Sequence, residues 1–174
     1  WLGQVPQDRR FMAWIHLFDP HTPYDPPEPY RSRYKERPYD GEVAYADACV
    51  GRLLEAARRP AAGSLVVVLL ADHGESLGEN DLFSHGYMYD TNLLIPLVIF
   101  DPRERGRHAR IRQQVRQIDM MPTILELAGL EPPVGISGQS LVKEMASGET
   151  APGRAAWSYG PEVNHGVSLR RDGL

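Results

Sequence analysis

Asp72-His73-Gly74-Glu75 puts a carboxylate beside an imidazole on adjacent residues, with a glycine to permit the tight turn that follows. Such a pair can bind a divalent cation. The carboxylate suits hard ions such as Ca²⁺, Mg²⁺ or Mn²⁺, and the imidazole draws the preference toward Mn²⁺ or Zn²⁺. A capping aspartate beside a satisfied histidine is the plain alternative. His85-Gly86 follows after the polar stretch Gly78-Glu79-Asn80-Asp81. A loop of this kind can fold back over the preceding strand end, where an imidazole would stabilise an anionic substrate or protonate a leaving group. Taken alone, His85 reads more readily as a surface loop histidine. Upstream, Asp19 and His21 stand where another apolar run closes.

The elements that must carry these residues follow from apolar spacing. Residues 11–18 are apolar except for His16 and end in Asp19-Pro20, the pattern of a strand buried on both faces. His16 itself is assigned to packing or to support of the site. Residues 20–38 hold six prolines and several tyrosines, which exclude ordinary helix and predict an ordered loop anchored by Tyr24 and Tyr30. From Gly41 to Arg59, apolar residues recur at three- and four-residue spacing, predicting an amphipathic helix with Asp40 as N-cap and Pro60 as stop. Residues 64–71 predict a second buried strand, residues 93–100 a third, and residues 119–128 a short helix stopped by Gly129. Strand, helix and strand in that order predict a right-handed crossover and a mostly parallel α/β sheet. Ligands of such sheets gather at the carboxyl ends of the strands, where Asp19/His21 and Asp72/His73 fall. Two apolar stretches, 155–159 and 166–169, are expected to be antiparallel strands. The expected organisation is an α/β catalytic portion over residues 1–130 and an incomplete carboxy-terminal subdomain over 131–174.

Composition narrows the function classes. In 174 residues, 42% hydrophobic content is enough for a sizeable core. The 19 basic and 23 acidic residues leave a formal charge of -4 and alternate along the chain, which argues against a nucleic-acid partner. No apolar run approaches the roughly 18 residues that span a bilayer. Cys49 is the single cysteine, so neither an intrachain disulfide nor a multi-cysteine metal cluster can form. The compartment stays open, and a periplasmic, extracytoplasmic or membrane-anchored parent is compatible with the sequence. A start at Trp1 followed at once by core-like sequence is read as loss of upstream chain.

Five ordered segments together resemble the sulfatase family of the alkaline-phosphatase-like superfamily, specifically the carboxy-terminal portion of its catalytic domain. They are residues 11–27 with the turn Pro20-His21-Thr22-Pro23, residues 72–79, residues 92–99 with Asn92-Leu93-Leu94-Ile95-Pro96, residues 118–129, and Gly135-Ile136-Ser137-Gly138-Gln139-Ser140-Leu141. The resemblance implies that Asp72 and His73 are metal ligands, that His21 contacts the sulfate or phosphate oxygens, and that His85 stabilises the leaving oxygen. It implies a divalent metal ion, Ca²⁺ first, with Mn²⁺, Mg²⁺ and Zn²⁺ as alternatives. The substrate it implies is a small sulfate or phosphate ester, sulfate first.

One departure bears on activity. The family uses a formylglycine made from cysteine or serine in a Cys/Ser-x-Pro/Ala-x-Arg segment, and two further metal-binding aspartates, all near the amino terminus. Neither element occurs here. Cys49 is followed by Val50, Gly51, Arg52 and Leu53, so it is read instead as a small buried apolar residue. The expectation is a truncated sulfatase-like fold, inactive as this 174-residue chain, with the nucleophile in the missing amino-terminal part. The rivals are a phosphonate or phosphodiester hydrolase or a phosphoethanolamine transferase of the same superfamily, and a non-catalytic scaffold fragment. An uncovered sheet edge is expected to favour a homodimer. His108 and His165 receive no role.

Overall fold

The computed structural model describes residues 1–6, 8–58, 63–103, 110–148, 154–160 and 166–171. Arg59, Pro60, His108 and His165 lie outside the described residues. The chain divides into two compact units, residues 1–65 and 66–174.

In the first unit, helix α1 (Tyr30–Arg33) precedes helix α2 (Pro38–Arg58). The proline-rich segment therefore does contain one helical turn, contrary to expectation. It forms because Pro29 occupies the N-cap and the next proline is Pro38, leaving the turn itself free of proline. Helix α2 begins three residues ahead of its expected start, since Pro38 at a first helical position lacks only an N–H that has no partner there anyway. Asp40 lies inside the first turn, 2.8 Å from Arg37, and is not the cap. The buried Glu42 accepts the backbone N–H groups of His21 (2.9 Å) and Asp25 (2.7 Å), which ties the proline-rich loop to α2. Gly41 lets the loop lie this close, because a Cβ there would come within 2.8 Å of Pro26 Cγ. Tyr24 packs edge-on against Tyr39, and Tyr30 packs tilted against Tyr45.

Residues 11–18 form no strand. Met12, Trp14 and Phe18 are exposed, as is His16, so neither the buried strand nor the packed histidine is observed. A strand exists through its ladder bonds and covered faces, and among the described residues no segment pairs with this one.

The second unit is built on β1 (Val67–Leu70), β2 (Ser76–Leu77), β3 (Phe83–Ser84), helix α3 (Asp90–Leu93) and β4 (Leu97–Phe100). The strand expected over 64–71 is shorter, and α3 takes the start of the apolar stretch assigned to the third strand. β1 pairs antiparallel with β4, from Val67 opposite Phe100 to Leu70 opposite Leu97. The parallel arrangement is thus corrected: residues 11–18 give no strand for the expected crossover through α2, and the chain between β1 and β4 turns back through a short hairpin and α3. These strands are also not fully covered, since Leu69, Leu70, Val98 and Phe100 are each exposed.

Helix α4 (Met120–Leu127) follows a 3₁₀ turn at Gln117–Asp119, and helix α5 (Val142–Ser147) follows the 138–141 segment. The core of this unit is here, in the buried Met120, Pro122, Thr123, Leu127 and Leu141. Thr123 Oγ1 donates to the Asp119 carbonyl (2.6 Å) and accepts from the Leu141 N–H (3.0 Å). Gly138 fits because a Cβ there would lie 1.9 Å from the Ile118 carbonyl oxygen. β5 (Ala156–Gly160) and β6 (Gly166–Arg170) pair antiparallel, from Ala156 opposite Arg170 to Gly160 opposite Gly166. Among the described residues the architecture is α/β with three small antiparallel sheets.

Candidate metal and histidine site

The site grows out of the end of β1. Asp72 and His73 leave the strand, and Gly74 bonds to α3 through its N–H to the Asn92 carbonyl (2.8 Å). Only glycine serves at position 74, since a Cβ would sit 2.0 Å from the Thr91 carbonyl oxygen. The chain then forms β2, turns through Gly78 (φ +123°), Asn80 and Asp81, and returns as β3, which ends in the left-handed Ser84 (φ +77°). Left-handed backbone at three non-glycine residues is sparsely populated and is held here by the surrounding bonds. Glu79 braces the turn by accepting the Leu77 N–H (2.7 Å). That bond, with the one from its own N–H, holds the exposed Glu79 carboxyl below its ordinary range.

Asn92 locks the two arms together. It is buried, donates to Ser76 Oγ (3.1 Å) and the Ser84 carbonyl (3.5 Å), and accepts the Tyr87 N–H (2.9 Å). Ser76 in turn bonds Thr91 Oγ1 (2.8 Å). From the other side, Gln117 donates to the carbonyls of Ala71 and Asp72, so the turn leading into α4 supports the strand end that carries the site.

These contacts set four side chains together. The Asp72 Oδ1 atom lies 3.8 Å from His73 Nε2, and the two imidazoles of His73 and His85 are 4.2 Å apart at 32°. His73 Nδ1 is 2.9 Å from the Gly74 carbonyl. A carbonyl only accepts, so Nδ1 carries the proton and Nε2 keeps a free lone pair, the state required of a metal ligand. His85 Nδ1 is 3.2 Å from Glu75 Oε2. His73, Glu75 and His85 each offer one ligand atom, all within 4.8 Å of one another, and could hold a metal ion.

The structure thus brings Asp72, His73 and His85 together within the second unit. His21 belongs to the first unit, where its ring stacks on Phe18 at 4.2 Å and its Nδ1 lies 2.7 Å from the Thr22 carbonyl. Glu75 received no role from the sequence, although it sits inside the segment singled out, and Asn92 and Gln117 were likewise passed over. Cys49 is not a buried apolar residue. It is partly exposed on α2, with the Arg52 guanidinium 3.1 Å from its sulfur, and its hydrogen bond to Tyr45 pushes that phenol up.

A second charged cluster is structural. Asp119 is fully buried and accepts from Arg116 Nη2 (2.9 Å), the Gln139 N–H (2.9 Å) and the Arg116 N–H (3.0 Å), with Arg154 at 3.5 Å. Burial alone would raise its carboxyl. The Arg116 bond, the Gln139 N–H and the nearby positive charge outweigh this and hold it below the usual carboxylate range. Arg154 also bonds Glu144 (2.6 Å).

The family model described as Sulfatase matches residues 1–130. An arylsulfatase of Clostridium perfringens is 23% identical over 93% of this chain and 44% of its own length. A protein solved with its substrate D-glucosamine-2-N,6-O-disulfate is 28% identical, with a TM-score of 0.60 over 78% of this chain and 29% of that one. The phosphonate monoester hydrolase of Agrobacterium radiobacter is 29% identical, with a TM-score of 0.60 over 70% of this chain and 25% of that one. The chain spans less than half the length of the curated relatives it matches.

Proposed function

We propose that this chain, which belongs to the sulfatase family, supplies part of the active site of a metal-dependent hydrolase of sulfate esters. The observation that carries the reading is the Asp72–His73 pair with the His85 ring tilted against that of His73 at 4.2 Å. The donor set fits a divalent cation: an exposed carboxylate oxygen and an imidazole with its lone pair free, 3.8 Å apart. When bound, such an ion neutralises the oxygens of the transferring group. Asp72 and His73 would hold it from one side, with Ca²⁺ the first candidate. His85, one third exposed, would face the departing oxygen. The nucleophile, a formylglycine by family resemblance, would come from the rest of the protein.

The likeness to a protein solved with a disulfated glucosamine supports a small sulfated substrate. The likeness to a phosphonate monoester hydrolase favours one second reading, phosphoryl or phosphonyl transfer by the same residues. An assay of the whole protein on phenyl sulfates, phenyl phosphonates and phosphodiesters, with and without chelator, separates the two. Chelator-sensitive sulfate release that is lost in Asp72→Ala and His73→Ala supports the proposal. Faster turnover of phosphonates or diesters would shift it to the second reading, and full activity in both variants would refute both.

A further inference from the structure

We propose that Glu75 is the positioning residue of His85, an inference that rests on assigning His85 to the leaving oxygen. The register of the β2–β3 hairpin brings the two together. Ser76 pairs with Ser84 and Leu77 with Phe83, so the next positions outward on the two strands are 75 and 85. Glu75 Oε2 then lies 3.2 Å from His85 Nδ1. The Glu75 side chain is only 6% exposed, while His85 is 33% exposed. The carboxylate anchors the ring from the inside, and the imidazole keeps an accessible side.

Two further observations favour positioning over packing. A carboxylate only accepts, so it fixes the hydrogen at Nδ1 and with it the tautomer and orientation of the ring. The other oxygen, Oε1, is buried with no hydrogen-bond partner among the described residues. A buried carboxylate this poorly satisfied is costly, and a hydrophobic residue of similar size would serve packing better. The His73 ring, 4.2 Å away, restrains the same imidazole from a second direction. In the reaction, the nucleophile's oxygen, its hydroxyl proton passing to a general base in the rest of the protein, forms a bond to sulfur as the bond from sulfur to the leaving oxygen breaks. The Nε2–H proton of the His85 imidazolium passes to that oxygen, leaving a neutral imidazole whose Nδ1–H stays on Glu75.

The test measures kcat and KM of the whole protein on phenyl sulfates and phenyl phosphonates whose phenols range from strongly to weakly acidic. His85→Ala should lower kcat most on the weakly acidic phenols. Glu75→Ala should reproduce that pattern, with about a 10- to 100-fold loss on the poorest leaving group and little change in KM. Glu75→Gln, whose amide oxygen can still accept from Nδ1–H, should show a milder form of the same steepening. The double variant should be no worse than His85→Ala, as expected for residues acting as one unit. An equal loss on every phenol together with a fall in bound metal would make Glu75 a metal ligand and overturn the proposal. A flat leaving-group dependence in His85→Ala would remove the role of His85 and this inference with it. Steepening in His85→Ala but in neither Glu75 variant would overturn this inference alone. Should Glu75→Ala fail to fold, Glu75→Gln decides, and a leaving-group dependence unchanged from the native protein's overturns it.

Discussion

Replacing Asp119 by Asn tests whether the buried ion cluster, and not apolar packing alone, holds the turn that supports the site. The substitution preserves shape but places an NH₂ where an oxygen was. In one orientation that group faces the Gln139 N–H and Arg116 Nη2; in the other it faces the Arg116 N–H, its Nε and Arg154. Either way donor meets donor, Arg116 loses the carboxylate it pairs with, and Arg154 keeps only Glu144, around a residue with no solvent exposure. Breaking a buried pair by removing one partner costs about 3–5 kcal/mol. Urea unfolding of the whole protein, followed by circular dichroism, should show that loss for Asp119→Asn at pH 7. The pH dependence has a definite sign. The Asp119 carboxyl lies below its unfolded value of about 3.9, so its contribution is complete above that value and is lost as pH falls through the lower folded value. The gap between native and variant should therefore be constant from about pH 5 to 8 and shrink below about pH 4. A gap under about 1 kcal/mol at pH 7, or one that widens on acidification, would refute the reasoning.

Gly74→Ala places a Cβ 2.0 Å from the Thr91 carbonyl, so Asp72 and His73 must shift; calorimetric titration with Mn²⁺ or Ca²⁺ should show at least about a tenfold loss of affinity. Thr123→Val leaves the Leu141 N–H buried without its acceptor and should cost about 1–3 kcal/mol in urea unfolding, with Thr123→Ser close to native. The 174-residue chain alone should bind divalent metal weakly in the same titration and hydrolyse neither phenyl sulfates nor phosphodiesters, because Ca²⁺ takes about 6–8 oxygen ligands and Asp72 with His73 supplies two donors. Self-association of that chain, read by sedimentation, is expected from exposed apolar strand residues such as Trp157, Tyr159, Val167 and Leu169.

Helix α2 was legible because Val43, Ala46, Val50, Leu53, Leu54 and Ala57 repeat at helical spacing, a signal local to the segment itself. β5 and β6 were legible for the same reason. Strand direction was not, since an apolar run such as Val67–Leu70 has no polarity in its composition, and its pairing with Leu97–Phe100 depends on how 26 intervening residues turn back. Residues 11–18 show the limit most clearly: apolar content is necessary for a buried strand but supplies no partner. In the site, Asp72, His73 and His85 stood out by residue type alone. Glu75 did not, because a glutamate after a glycine carries no signal until the hairpin register sets it against His85.

The bonds that shape this site nearly all fall within residues 72–92: Gly74 to Asn92, Glu75 to His85, Ser76 to Ser84 and Thr91, and Tyr87 to Asn92. Support from outside this segment includes the Gln117 bonds and the pairing of Arg170 with Asp90, both within the second unit. Contacts this short in sequence close small loops, whose entropic cost is low, so the arrangement does not wait on distant strands. Ligand number and ligand order can therefore be separated. If metal binding by the chain alone is weak because donors are few, adding the remaining donors should raise affinity without any change in the 72–92 backbone. If it is weak because the loop is unformed, amide exchange across 74–92 in the chain alone should be fast. The bonds converging on Asn92 and the bracing by Gln117 argue for the first, and slow exchange at the Tyr87 N–H, which Asn92 accepts, is the measurement that decides.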